Sequence, residues 1–177
     1  MPRAIFLDRD GVINKAIVRH GKPYPPHSLD ELILEPYVLP SLNKLKENNF
    51  LLIAVTNQPD VARGELKQHT LDKIHQVLLS QLPLDEILVC MHDDADRCNC
   101  RKPKPGLLYS AAEKYHLDLT SCYMIGDRWR DIEAGKNANC KTIWINRSYV
   151  EKKPTNADFT TFSLCKAVDW IVSSCTR

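Results

Sequence analysis

The chain has 177 residues, 44% of them hydrophobic and 26% charged, with a formal net charge of +2. That is the length of one ordinary domain with enough apolar residues for a real core, and the composition is not that of a disordered chain. So small a charge excess offers no support for a nucleic-acid partner, while a small anionic substrate stays compatible with it.

The N-terminus, Met1-Pro2-Arg3, leads into a short run followed by acids, not into a secretory segment or a span of about 20 apolar residues. A soluble, cytoplasmic protein without a membrane partner is the expectation. Ala4-Ile5-Phe6-Leu7 is a continuous apolar run of the kind that forms a buried parallel strand, over about residues 3–8, and it ends in Asp8-Arg9-Asp10-Gly11. The Pro-rich segment Gly21-Lys22-Pro23-Tyr24-Pro25-Pro26 is read as a loop without regular structure. Leu39, Leu42 and Leu45 recur at helical spacing, and Phe50-Leu51-Leu52-Ile53-Ala54-Val55 predicts a second buried strand ending at Thr56-Asn57-Gln58. Leu71, Ile74, Leu78 and Leu79 predict a helix over about 67–81, and Ile87-Leu88-Val89 a third strand. A helix follows Pro105-Gly106, Cys122-Tyr123-Met124-Ile125 and Thr142-Ile143-Trp144-Ile145 are the fourth and fifth strands, and a last helix lies near 163–173. Strands alternating with helices predict an α/β fold: a Rossmann-like three-layer α/β/α sandwich with a central parallel sheet covered on both faces. No repeat or long linker divides the chain, so residues 1–177 are expected to form a single domain, and a chain of this size can act as a monomer.

Two carboxylates two residues apart at a strand end do little for packing, but the carboxyl ends of parallel strands are where open α/β sheets bind ligands. Asp8 and Asp10 follow the first strand, Thr56 and Asn57 the second, and Asp127 and Asp131 the fourth, so all should meet at one sheet edge. Carboxylates crowded around one point are tolerated mainly when a hard cation neutralises them, which makes Mg²⁺ the expected occupant. Lys102 precedes the third helix and can bring a positive charge for a phosphoryl group to the same edge.

The seven cysteines are an odd count, and three of them crowd into Cys90, Cys98 and Cys100. With His92 they offer three thiolates and an imidazole, a set suited to a closed structural Zn²⁺ site in a reducing compartment. Asp93, Asp94 and Asp96 beside them are read as a solvated loop. His20, His27, His69, His75 and His116 show no sequence partner and are read as structural or exposed, and Trp129, Trp144 and Trp170 as packing residues.

The strings Asp8-Arg9-Asp10-Gly11, Thr56-Asn57-Gln58, Cys100-Arg101-Lys102-Pro103-Lys104-Pro105-Gly106 and Gly126-Asp127 resemble the haloacid dehalogenase (HAD) superfamily of phosphatases. More narrowly they are similar to its small, cap-less branch, which contains heptose bisphosphate and histidinol-phosphate phosphatases and in which similar zinc loops occur, here inserted after the third strand. The resemblance covers roughly residues 3–146 and implies an HAD-like domain without a large cap. It implies that Asp8 is the nucleophile that forms an aspartyl-phosphate, and that Asp10 protonates the leaving oxygen and later activates water. Thr56 and Lys102 would hold the phosphoryl group. Mg²⁺ would be held by Asp8, Asp10 and Asp127, with Asp131 either orienting from behind or capping a helix. The implied activity is Mg²⁺-dependent hydrolysis of a small sugar phosphate, first a heptose 1,7-bisphosphate cleaved at the 7-phosphate, with histidinol phosphate as the nearest alternative. Asn57, Arg63, Arg101 and Arg128 are the candidate substrate contacts, on loops such as His20 to His27 and Gln58 to Gly64. Pro59-Asp60 stands where a Ser-Gly pair is usual and Val12 where Thr is common, changes that bear on substrate choice rather than chemistry. A different class, a zinc-loop module binding anions without turnover, explains the cysteines but leaves Asp10 idle.

Overall fold

In the computed structural model, which describes residues 1–175, the elements run β1 (Arg3–Leu7), β2 (Ile17–Arg19), β3 (Lys22–Tyr24), α1 (Val38–Glu47), β4 (Phe50–Asn57), α2 (Gln68–Gln81), β5 (Glu86–Cys90), α3 (Gly106–Tyr115), β6 (Tyr123–Gly126), α4 (Trp129–Asn137), β7 (Lys141–Ile145), β8 (Phe159–Thr161) and α5 (Leu164–Cys175). Six strands form one sheet in the order β5-β4-β1-β6-β7-β8, and every neighbouring pair is parallel. The side-chain period of two sorts each strand between two cores. Ile5 and Leu7 of β1, with Leu52 and Ala54 of β4, pack under α1, α2 and α5 through Leu42, Ile74 and Ile171. Ala4 and Phe6, with Ile53 and Val55, pack on the other face against Leu107, Leu108 and Ala111 of α3. All of these strand residues are fully buried, and each large side chain so placed contributes about 1.5–3 kcal/mol of transfer free energy. Burial on both faces is why the strand sequences are apolar runs and not alternating ones.

The chain builds outward from β1 to β4 and β5, then returns to the other side of β1 to lay down β6, β7 and β8. The reversal puts a topological switch point beside the carboxyl end of β1, the place where such sheets open a ligand crevice. The amide of Asp8 extends the ladder there by donating to the Ile125 carbonyl at 2.9 Å.

Four elements, β2, β3, α4 and β8, differ from the sequence expectation. The Pro-rich segment does contain regular structure: β3 pairs antiparallel with β2, with Val18 opposite Pro23. His20 and Gly21 both have positive φ, 51° and 75°, as the two-residue turn of a tight hairpin requires. Pro23 is tolerated because a two-stranded ribbon consists only of edges. The other two are α4 and β8, which were not anticipated; β8 adds three residues to the sheet beyond the expected fifth strand. Among the described residues no helix is long and apolar enough to cross a membrane.

Candidate functional site

Asp8 leaves β1 at the switch point and is almost fully buried, at 7% exposure. Lys102, 2% exposed, aims its Nζ at the same point and donates at 2.7 Å to Asp8 Oδ1 and to the Val55 carbonyl, with Asp131 Oδ1 also at 2.7 Å. All three ammonium protons therefore have acceptors. Burial favours the neutral amine, but the charges of Asp131 and Asp8 outweigh it and hold Lys102 protonated, above its usual range. Asp8 is pushed up to about 6, by burial first and by Asp131 and Asp10 next, with Lys102 opposing. Asp127 lies well above the usual carboxylate range for the same reasons, burial and then Asp8 and Asp131.

Carboxylate oxygens of Asp8, Asp127 and Asp131 lie within 4.8 Å of one another. Asp127 Oδ1 is buried and has no hydrogen-bond partner. Three clustered acids, only two of them paired with the Lys102 ammonium, and a buried oxygen left unsatisfied fit a hard divalent cation that takes oxygen ligands. The third member of this group is Asp131, whose Oδ2 also accepts from the Arg128 amide at 3.0 Å, so one side chain both caps α4 and joins the cluster. The carboxylate of Asp10 is outside the group. Its oxygens accept from Arg9 Nη2 at 2.9 and 3.0 Å, Arg9 Nε at 3.1 Å, Asn14 Nδ2 at 2.9 Å and Gln58 Nε2 at 2.8 Å, which turns it toward the β4 side. Gly11, at φ +90°, turns the chain directly after Asp10 and leaves room for Asp127, since a Cβ there would sit 1.8 Å from Asp127 Oδ2.

The tip of β4 contributes Thr56, buried, whose Oγ1 accepts from Gln58 Nε2 at 2.8 Å. Asn57, expected at substrate, lines the cavity at this edge and also clamps the lysine loop: Nδ2 donates to the Lys102 carbonyl and Oδ1 accepts from the Lys102 amide, both at 3.0 Å. Asp8, Asp10, Asn57, Lys102 and Asp131, but not the buried Thr56, line a cavity of about 430 Å³ that also touches Lys22, Tyr24, Arg63, Arg101 and Arg128. The three arginines line it as expected, each paired with an acid: Arg63 with Asp93 at 2.7 Å, Arg101 with Asp94 at 2.8 Å, Arg128 with Glu151 at 2.6 Å. Asp93 and Asp94 are therefore not merely a solvated loop. The arginines hold them charged, Asp93 down to about 2 through its hydrogen bond with Arg63.

A second donor set converges at the end of β5. Cys100 Sγ lies 3.2 Å from Cys90 Sγ and 3.5 Å from Cys98 Sγ, Cys90 and Cys98 are 3.6 Å apart, and His92 Nδ1 is 3.5 Å from Cys90 and 3.3 Å from Cys100. Zinc at about 2.3 Å from sulfur and about 2.0 Å from nitrogen asks for edges of about 3.5–3.8 Å, close to these. Four donors could close a zinc site completely. The loop is coupled to the acidic edge twice: Gln58 N donates to the Cys90 carbonyl at 2.7 Å, and Cys100 is two residues from Lys102.

Several working residues escaped the sequence reading. Arg9 is fully buried and grips Asp10. His75, expected without a partner, meets Arg9 Nη1 with Nε2 at 3.0 Å; a guanidinium can only donate, so Nε2 accepts. Burial and the Arg9 charge push His75 down to about 4, in keeping with a neutral ring. His27 pairs with Asp60 at 2.8 Å at the cavity edge. Tyr149 Oη donates to Asp127 Oδ2 at 2.7 Å. Trp144 does more than pack, donating Nε1 to the Asp127 carbonyl at 3.0 Å. The signal available for Arg9 was its place between two acids; none marked His75 or Tyr149, which reach the site from distant sequence.

Comparison with known proteins agrees with this geometry. Residues 99–162 match a family model described as HAD-hydrolase-like. The D-glycero-beta-D-manno-heptose-1,7-bisphosphate 7-phosphatase of Salmonella typhi is 33% identical over 183 residues, covering 97% of this chain and 90% of that protein. The histidine biosynthesis bifunctional protein HisB of Blochmanniella floridana is 38% identical over 146 residues, 80% of this chain, but the chain spans only 40% of that protein's length. The crystal structure of D,D-heptose 1,7-bisphosphate phosphatase from B. bronchiseptica, complexed with magnesium and phosphate, superposes with a TM-score of 0.83 at 28% identity, covering 98% of this chain and 99% of that one. The chain belongs to the haloacid dehalogenase superfamily of phosphatases, in the cap-less branch that includes the heptose bisphosphate phosphatases.

Proposed function

We propose that this chain, as a single monomeric domain, hydrolyses D-glycero-D-manno-heptose 1,7-bisphosphate at the 7-phosphate through an aspartyl-phosphate on Asp8. One observation carries the chemistry: a buried strand-end carboxylate at 2.7 Å from a buried ammonium, next to a carboxylate group suited to a divalent cation. The likeness to the enterobacterial 7-phosphatase over nearly the whole chain supports the substrate. Asp8 attacks phosphorus and the bond to the sugar oxygen breaks while Asp10 gives that oxygen a proton; Asp10 then takes a proton from the water that hydrolyses the acyl phosphate. Arg9, Asn14 and Gln58 fix Asp10 for both transfers. Lys102 and Thr56 hold the phosphoryl oxygens, and Lys102 lowers the cost of keeping Asp8 ionised. Mg²⁺, bound by Asp8, Asp127 and Asp131, supplies positive charge that offsets these acids and the phosphoryl oxygens. Cys90, His92, Cys98 and Cys100 hold a structural Zn²⁺, which suits a reducing, cytoplasmic setting.

The arginines on the cavity rim, released from Asp93, Asp94 and Glu151, are the contacts for the second phosphate and the sugar. Histidinol phosphate is the second reading, favoured by the likeness to HisB. Phosphate release should be measured on p-nitrophenyl phosphate, both heptose bisphosphate anomers and histidinol phosphate. The proposal expects turnover lost in Asp8→Asn and Asp10→Asn, and the highest kcat/KM on a heptose anomer. A higher kcat/KM on histidinol phosphate replaces the substrate, and Mg²⁺-independent anion binding without any turnover replaces the enzyme with a binding module.

A further inference from the structure

The segment after β7 folds back over the acidic edge and is attached there at several points. Arg147 Nε donates to the Gly11 carbonyl at 2.9 Å and its Nη2 pairs with Glu35 at 3.1 Å. Val150 N donates to the Gly21 carbonyl at 2.8 Å, tying the segment to the hairpin turn, and Glu151 grips Arg128. Tyr149 lies between these anchors, half-buried, with its phenol on Asp127 Oδ2 at 2.7 Å. Among the described residues this is the only hydrogen bond to the Asp127 carboxylate; its other oxygen, Oδ1, is buried and unpartnered. Gly11 leaves the room for the pair, since a Cβ there would stand 1.8 Å from Asp127 Oδ2 and 2.8 Å from the phenol oxygen.

A carboxylate free to rotate can offer a cation either oxygen or both. One whose Oδ2 accepts from a donor held at both ends of its own segment is fixed in orientation, with Oδ1 as its unpartnered oxygen. We propose that Tyr149 is a positioning residue for Asp127: by donating to Oδ2 it presents Oδ1 to the divalent cation and so sets the affinity of the site for Mg²⁺. The proposal rests on the reading of Asp8, Asp127 and Asp131 as a metal site. Outer hydrogen bonds to metal-ligating groups are worth roughly 10–100-fold in metal affinity, which fixes the size of the expected effect.

The test is calorimetric titration of the metal-free protein with Mg²⁺ alone, for the parent, Tyr149→Phe, Tyr149→Leu and Asp127→Asn. The expected result is a Mg²⁺ Kd raised about tenfold or more in Tyr149→Phe, an equal or larger rise in Tyr149→Leu, and loss of binding in Asp127→Asn. The Mg²⁺ concentration giving half-maximal phosphate release should rise by the same factor in Tyr149→Phe, with kcat at saturating Mg²⁺ within about twofold of the parent. Parent-like affinity in Tyr149→Phe with binding lost in Asp127→Asn overturns the role of Tyr149 alone. Weakening confined to Tyr149→Leu also overturns it, because packing and not the donor would then be responsible. Parent-like affinity in Asp127→Asn overturns the metal-site reading itself, and the proposal with it. The metal-free melting temperature of each variant reports whether the fold is kept, and Tyr149→Phe, which removes one oxygen, is expected to match the parent.

Discussion

Replacing Lys102 by Met removes the buried ammonium that faces Asp8 and Asp131 while nearly keeping side-chain volume. The ammonium is 2% exposed and has Asp8, Asp131 and the Val55 carbonyl at 2.7 Å, so its loss leaves buried acids without their counter-charge and a buried carbonyl without its donor. Breaking a buried ion pair from one side typically costs about 3–5 kcal/mol, and for a chain of this length that corresponds to a fall of roughly 6–20 °C in melting temperature. The assay is urea unfolding in EDTA at pH 7.5, repeated at pH 4.5. With Lys102 present Asp8 is already raised to about 6 from 3.8, and Lys102 is an influence that lowers it. Without Lys102 it rises further. A carboxyl raised on folding contributes stability that is fully present below its unfolded value and is lost as pH rises through the folded one. The deficit of the variant should therefore be largest at pH 7.5 and shrink on acidification as Asp8 takes up a proton. A deficit under about 1 kcal/mol at pH 7.5, well below that expected for a broken buried pair, or one that grows as pH falls, would refute the electrostatic account of this edge.

Gly11→Ala should abolish Mg²⁺-dependent turnover and lower the melting temperature, because its Cβ would overlap Asp127 Oδ2 and the φ of +90° costs an alanine about 1–3 kcal/mol; unchanged kinetics would show that the turn has slack. Chelating zinc should make the thiols of Cys90, Cys98 and Cys100 titratable and reduce turnover in a way that Zn²⁺ restores and added Mg²⁺ does not, monitored by thiol reagent and phosphate release in parallel. His75, held at about 4, contributes stability that is complete above about 6.5 and is lost as pH falls toward 4. The parent should thus lose roughly 1–3 kcal/mol more than His75→Gln between pH 7 and pH 4.5, and parallel pH profiles by urea unfolding would contradict that.

Most of the sheet was legible because strands buried on both faces must be apolar throughout, and Phe50 to Val55 is the plainest case. The site was legible for a related reason: Asp8 and Asp127 are charges placed directly after apolar strand runs, and Lys102 stands just before the third helix, positions that point to chemistry. α4 was not, since Trp129 to Asn137 carries an interior Gly135 and few apolar residues, and its strongest contacts are with the sheet beneath it. β8 is too short to show a period, and the hairpin was hidden by prolines that exclude a central strand but not a ribbon edge. Asp131 reads from the sequence as either a metal orienter or a helix cap; in this structure one oxygen caps α4 while the other pairs with Lys102 beside Asp8, because its two oxygens face different partners. Asn57, Arg9, His75 and Tyr149 depend on contacts between residues from 22 to 66 positions apart or on the direction a side chain takes, neither of which a linear pattern records.

The placement of β1 in the middle of the sheet has a consequence for synthesis. The first strand off the ribosome finds one neighbour about 45 residues later, in β4, but waits until β6 near residue 123 for the other. During that interval an apolar strand with an open hydrogen-bonding side is present in the nascent chain, the kind of edge that recruits other chains. Pairing over such distances is also slow. Yield from rapid translation should accordingly be limited by aggregation before residue 123 emerges, and slowing elongation or supplying a holdase chaperone should raise the soluble fraction more than stabilising the finished protein does.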